Sequence, residues 1–168
     1  MAAAHNLGYY SEQEFDFTPF EPFRGSILEL GRASIDRDHR SSEVLTLLWR
    51  GIAQYTRLHN LLYLIGCSSL NSQDAQVGWQ MYRQLSDFLV APEFRTSPIP
   101  ACRLPPASEA PELMPKVPKL LRTYIGIGAK ICGLPAWDRE FGTIDFLTLL
   151  DIRELTPGAR IRFLTDTQ

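Results

Sequence analysis

Apolar and polar positions order this chain into strand, helix, strand, helix and then two strands. ILELGRASI, residues 27–35, alternates in character and predicts the first strand. From about residue 43 to 58, Glu43, Thr46, Arg50, Gln54 and Arg57 fall on one helical face. Leu45, Leu48, Ile52 and Tyr55 fall on another. LLYLIGCSSL, residues 61–70, is a near-continuous apolar run, short enough for a strand buried on both faces. Asn71 or Ser72 is placed to cap the next helix, with Asp74 in its first turn. That helix carries Val77, Met81, Tyr82, Leu85, Phe88 and Leu89 at helical spacing. Residues 91–118 are proline-rich and aperiodic, and predict a long loop. A short helix follows over 119–125. AKICGLPAW and GTIDFLTLLD then read as two strands joined by a turn through 138–142. Upstream, Ser11 and Glu14 have capping-box spacing, which predicts a helical turn near SEQEF. Phe15, Phe17, Phe20 and Phe23 behind it need a surface to pack on. The pattern after Thr156 is indistinct.

This order is that of an α/β fold, a mixed sheet covered by helices. Its strand–helix–strand crossover implies a parallel pair. The chain has 168 residues, 45% of them apolar, which suits one domain over 1–168 with a real core. A net charge of −2 argues against general nucleic-acid binding. Three cysteines without CxxC spacing suggest reduced thiols, and three scattered histidines give no reason to invoke a metal. The amino-terminal residues lack the pattern of a signal peptide, and the apolar runs are too short to span a bilayer. The expectation is a soluble cytoplasmic protein whose membrane contact, if any, is peripheral at the inner membrane surface. Between Met114 and Trp137 there is no acidic residue, while Lys116, Lys119, Arg122 and Lys130 are present. That is either a solvated basic face or a surface for an acidic protein or an anionic membrane.

The joint between the first strand and its helix concentrates charge. A turn from a strand into a helix amino terminus presents free N–H groups, and Arg37, Arg40, Ser41 and Ser42 could complete a phosphate cradle. An ordinary capped helix with a solvated loop fits the same residues, because no glycine-rich loop is present. Glu29 and Arg32, three apart on a strand, face opposite sides. They are either members of structural ion pairs or a carboxylate for an amine proton and a guanidinium for an anionic group.

ELGR, the charged turn and the helix containing LLWRG resemble the GNAT-superfamily acyltransferases that make lyso-ornithine lipid. These are the ornithine–acyl-carrier-protein N-acyltransferases, also called hemolysin-like proteins. The resemblance extends to YYSEQEFDF, YLIGCSSL and PKLLRTYIGIGAKICGLPAWDREFGTIDFLTLLD, and so covers most of residues 9–152. PAWD followed by the strand with Asp145 is its most specific part. ExxR on a strand also occurs in acyl-homoserine-lactone synthases. Arg37-Asp38-His39-Arg40-Ser41-Ser42 stands where coenzyme-A-dependent relatives carry RxxGxG/A.

The resemblance implies a GNAT-like fold and transfer of a (3-hydroxy)fatty acyl group to the amine of ornithine, the first step of ornithine lipid synthesis. No bound cofactor is implied. The donor is the phosphopantetheine thioester of acyl carrier protein, its phosphate held at Arg37, Arg40, Ser41 and Ser42. Glu29 is expected to take the amine proton, Arg32 to bind the acceptor carboxylate, and Asp145 to hold a second amine. Backbone N–H groups near Cys67, Ser68 and Ser69 would polarise the thioester carbonyl. The two serines could donate to pantetheine or the leaving thiolate, or could simply end a strand. Cys67 has no histidine near it in the pattern and is expected to line the site, not to attack. Only residues 1–8 precede the YYSEQEF segment, where the family has further strands, so the chain resembles the carboxyl-terminal part of such an enzyme. A non-catalytic, partner-binding fragment and an acyltransferase for another amino acid are the alternatives.

Overall fold

The computed structural model describes residues 8–31, 35–106 and 115–164. Its strands are β1 (Ile27–Glu29), β2 (Tyr63–Leu70), β3 (Lys130–Ile131), β4 (Ala136–Asp138) and β5 (Thr143–Asp151). They form one mixed sheet in the order β1-β2-β5-β3, with β4 also on β5. β1 and β2 are parallel, whereas β2, β3 and β4 all run antiparallel to β5. The helices are α1 (Ser42–Leu58), α2 (Ala75–Gln84), α3 (Lys119–Ile127) and α4 (Pro157–Leu164). The crossover through α1 therefore gives the parallel pair expected of it.

Period-two alternation assigns the two sheet faces. Leu64, Leu70, Ile144, Phe146 and Leu150 face the helices, meeting Trp49 and Ile52 of α1, Met81 of α2, Leu121 and Tyr124 of α3 and Ala159 of α4. Ile27, Tyr63, Ile65, Leu147 and Leu149 face the other way, against Tyr9, Phe15, Phe17 and Phe20. The amino-terminal aromatic residues thus find their surface on the sheet. They are carried by two 3-10 segments, Tyr10–Gln13 and Thr18–Ser26.

Four elements differ from the sequence reading, two of them where sequence-distant backbone comes close. The first strand stops at Glu29. Leu30 N–H still donates to the Ile65 carbonyl at 2.7 Å, but the Leu30 carbonyl oxygen lies where a Cβ of Gly66 would be. The expected strand over 129–137 is split into β3 and β4, because residues of the long loop run alongside it. Thr96 N–H donates to the Cys132 carbonyl at 2.8 Å, and the Thr96 carbonyl oxygen occupies the Cβ position of Gly133. The second helix ends at Gln84, and Phe88 sits in a following 3-10 turn, exposed. The tail forms α4. Helix caps are Ser41, which accepts from Val44 N–H at 3.3 Å, and Asp74, which accepts from Gln76 N–H at 2.9 Å.

Candidate active site

The strand pairing brings the chemistry to one side of the sheet. Ser69 of β2 stands opposite Asp145 of β5. Cys67, two residues back, shares their face, and Glu29 of β1 pairs with Ile65 on that face. Above them runs the amino-terminal 3-10 turn, which delivers Glu14. Its position is fixed through the backbone: Phe15 N–H donates to the Ser11 carbonyl at 2.9 Å, and Ile99 N–H to the Glu14 carbonyl at 2.9 Å. The result is a cleft of about 450 Å³ lined by Tyr10, Ser11, Glu14, Glu29, Leu30, Gly31, Cys67, Ser69, Asp138, Phe141, Thr143 and Asp145. Four of these are carboxylic acids, and no lysine or arginine is among them.

A carboxylate oxygen of Glu14, the Cys67 sulfur and a carboxylate oxygen of Asp145 lie within 4.8 Å of one another. Glu14 is 6% exposed, and its Oε2 has no hydrogen-bond partner. Burial, reinforced by Asp145, Asp138 and Glu29, pushes its carboxyl up to about 8. Asp145 is also raised, chiefly by burial, although the Ser69 and Thr143 hydroxyls beside it pull the other way. Its Oδ1 is unpartnered as well. The Cys67 thiol donates to Ser11 Oγ at 3.4 Å, and burial raises its pKa further above the ordinary thiol range. It is a thiol at neutral pH and a poor nucleophile.

Glu29 has a task that the strand pattern did not reveal. Its Oε2 accepts from Tyr10 N–H at 2.6 Å, and its Oε1 from Ser11 N–H at 2.9 Å and from the Ser11 hydroxyl. This carboxylate is committed to the first turn of the amino-terminal segment, where free N–H groups favour it. Ser68 corrects another expectation. Alternation turns it to the helix-covered face, where it is buried with an unpartnered Oγ, away from Cys67 and Ser69. Arg32 lies outside the described residues.

At the strand-to-helix joint, Arg37, Arg40, Ser41 and Ser42 are all exposed. Arg40 Nε donates to the Ile35 carbonyl at 3.1 Å, Ser41 caps α1, and Ser42 Oγ donates to Glu43 at 3.3 Å. These are the contacts of a capped helix, and none of the four lines the cleft. Of the basic residues at 116–130, Lys130 is paired with Glu154 at 3.0 Å, an acid the local sequence window could not show.

The far side of the β1–β2 joint holds a second, smaller cavity of about 50 Å³ between α1 and α3. Its walls include Trp49, Leu64, Gly66, Tyr124, Ile127 and Leu150. Leu30 and Cys67 line both spaces. Because Ile65 presents its carbonyl to the β1 side, the backbone N–H groups of Cys67 and Ser69 point that way too. Among the described residues, no ladder bond from β1 follows the one made by Leu30.

The Acetyltransferase (GNAT) domain family model matches residues 1–50. With that match, the α/β architecture, a mixed five-stranded sheet and its helices, is similar to the GNAT acetyltransferase class. More particularly, the chain is similar to enzymes named L-ornithine N(alpha)-acyltransferase. It is 25% identical to that of Rhodobacter capsulatus, over 90% of this chain and 61% of the relative. It is 29% identical to that of Brucella abortus, over 89% of this chain and 57% of the relative. The chain thus spans about three fifths of the length of the curated relatives it matches. No solved structure matches it. Among the described residues, no helix is long and apolar enough to cross a membrane.

Proposed function

We propose that this chain carries the acyl-transfer site of an enzyme that moves a fatty acyl group from the phosphopantetheine thioester of acyl carrier protein to the α-amine of ornithine. The observation that carries this reading is the acidic cleft set at the point where β1 leaves β2. A cleft with four carboxylic acids and, among the described residues, no lining lysine or arginine favours a cationic acceptor such as an amino acid with two ammonium groups. The relatives' names supply the particular acceptor.

The geometry supports a direct transfer. The thioester lies along the gap beside Leu30 and Cys67, with its carbonyl oxygen toward the Cys67 and Ser69 N–H groups. The acceptor occupies the acidic side, its second ammonium beside Asp145 and Ser69. The amine lone pair forms the C–N bond, the C–S bond breaks, and the leaving sulfur takes a proton released from nitrogen. The exposed Arg37, Arg40, Ser41 and Ser42 at the α1 amino terminus remain the residues closest in chemistry to a phosphodiester. The basic residues Lys116, Lys119 and Arg122 suit an acidic carrier protein.

Incubating the chain with an acyl-carrier-protein thioester and ornithine, lysine or glycine, and weighing the products, tests this. N-acylornithine should dominate. Acylglycine at equal or greater yield would remove the second-ammonium argument.

A further inference from the structure

We propose that Glu14, through its unpartnered Oε2, is the group that takes the proton from the acceptor ammonium, while Glu29 is the positioning residue that holds the turn carrying it. This rests on the acyl-transfer reading above and deepens it.

Three observations converge. First, Glu29 offers little free acceptor capacity toward a substrate, since both oxygens already accept from Tyr10 and Ser11. Glu14 keeps a buried oxygen with no partner, and leaving such an atom unmet is costly unless a ligand uses it. Second, the location fits. Glu14 and Cys67 present atoms within 4.8 Å of each other, and Cys67 borders the gap where the thioester carbonyl would lie. An ammonium between them would reach carboxylate and carbonyl carbon together. Third, the base has a suitable strength. Burial first, then Asp145, Asp138 and Glu29, hold its carboxyl near 8, close to the range where proton transfer from an amine is efficient. Among the described residues, the titratable and charged groups around Glu14 are Tyr10 of its own turn, Glu29 from β1, Cys67 from β2, Asp138 from β4, Asp145 from β5 and Cys102 from the long loop, with Arg139 and Glu140 lining a neighbouring pocket beside it.

The protons balance. The ammonium gives one proton to ionised Glu14 and becomes the nucleophile. After C–N bond formation, the nitrogen gives a second to the departing sulfur. Glu14 returns its proton to solvent when product leaves.

Two measurements test the assignment on the full chain. In thiol-release kinetics, kcat/KM of the wild type for ornithine should rise with pH through about 8. Glu14→Gln should lower kcat by about 100-fold or more, with ornithine KM changed only a few-fold, and should abolish that rise. Glu29→Gln should retain it. A Glu14→Gln protein that keeps the rising limb overturns the proposal. Separately, the side-chain carboxyl of Glu14 is titrated by carbon NMR with and without ornithine, which needs no turnover. A bound ammonium should lower the midpoint, and a midpoint unmoved by saturating ornithine overturns the proposal. A wild-type chain that releases no thiol counts instead against the acyl-transfer reading. The titration then decides alone whether Glu14 meets the amine.

Discussion

The carbonyl oxygen of Leu30 lies at the point where any other residue at position 66 would place its Cβ, too close for anything but Gly66. This contact lets β1 peel away from β2 at the place where the acidic cleft and the smaller apolar cavity meet. Gly66→Ala should cost about 1–3 kcal/mol by overpacking, and should lower acyl transfer more than ornithine binding. Gly51→Ala is the control. Gly51 sits within α1 with nothing near its Cβ position, so alanine there should stabilise by about 0.5–1 kcal/mol. Urea denaturation of both variants checks the pair. Equal stabilities would contradict the account of the joint.

Stability should fall with rising pH on account of Glu14. Its carboxyl is held near 8 in the folded chain, against 4.5 for an unperturbed glutamate. Between those values the native state binds more protons than the unfolded one, so raising the pH costs stability. Glu14→Gln removes the titration. It should therefore gain on the wild type from pH 5 to pH 8, by an amount on the order of 1–3 kcal/mol. Denaturant midpoints at the two pH values measure this, and a constant difference would place Glu14 in a wetter environment than the structure shows.

No acyl-enzyme should accumulate on Cys67. Its thiol is buried beside Glu14 and Asp145, all of which disfavour the thiolate. Intact-protein mass spectrometry after mixing with donor but no acceptor should show the unmodified chain. A stoichiometric acyl adduct at Cys67 would replace direct transfer with a two-step route.

Reversing Lys119 and Arg122 to glutamate should weaken carrier-protein binding at low salt, with the difference shrinking as salt is added. Fluorescence anisotropy with labelled carrier protein is the check, and unchanged affinity would remove this face from the docking surface.

Much of the fold was legible because the decisive signals are local. The stripe of α1, the apolar run of β2 and the length of β5 each stand within a few turns or pleats of sequence. Where the reading missed, distant backbone intervened. Alternation over residues 27–35 carries no mark of Leu30 meeting Gly66, and nothing near Gly133 announces Thr96. The site divides in the same way. Cys67, Ser69 and Asp145 share a face by strand periodicity and register, and that periodicity already excluded Ser68. Glu14 was hidden by its resemblance to a capping-box member. Its available signal was a glutamate inside an aromatic run, between Ser11 and four phenylalanines, where an acid is costly unless used. Glu12 instead accepts from the backbone N–H of Tyr9 at 3.0 Å.

The most direct measurement follows free thiol release from 3-hydroxyacyl-acyl carrier protein mixed with this chain, with and without ornithine. The account predicts release that depends on ornithine and rises with pH through about 8. Release that ignores ornithine, or none at any pH, would contradict the claim that these residues form a working amine-acylation site.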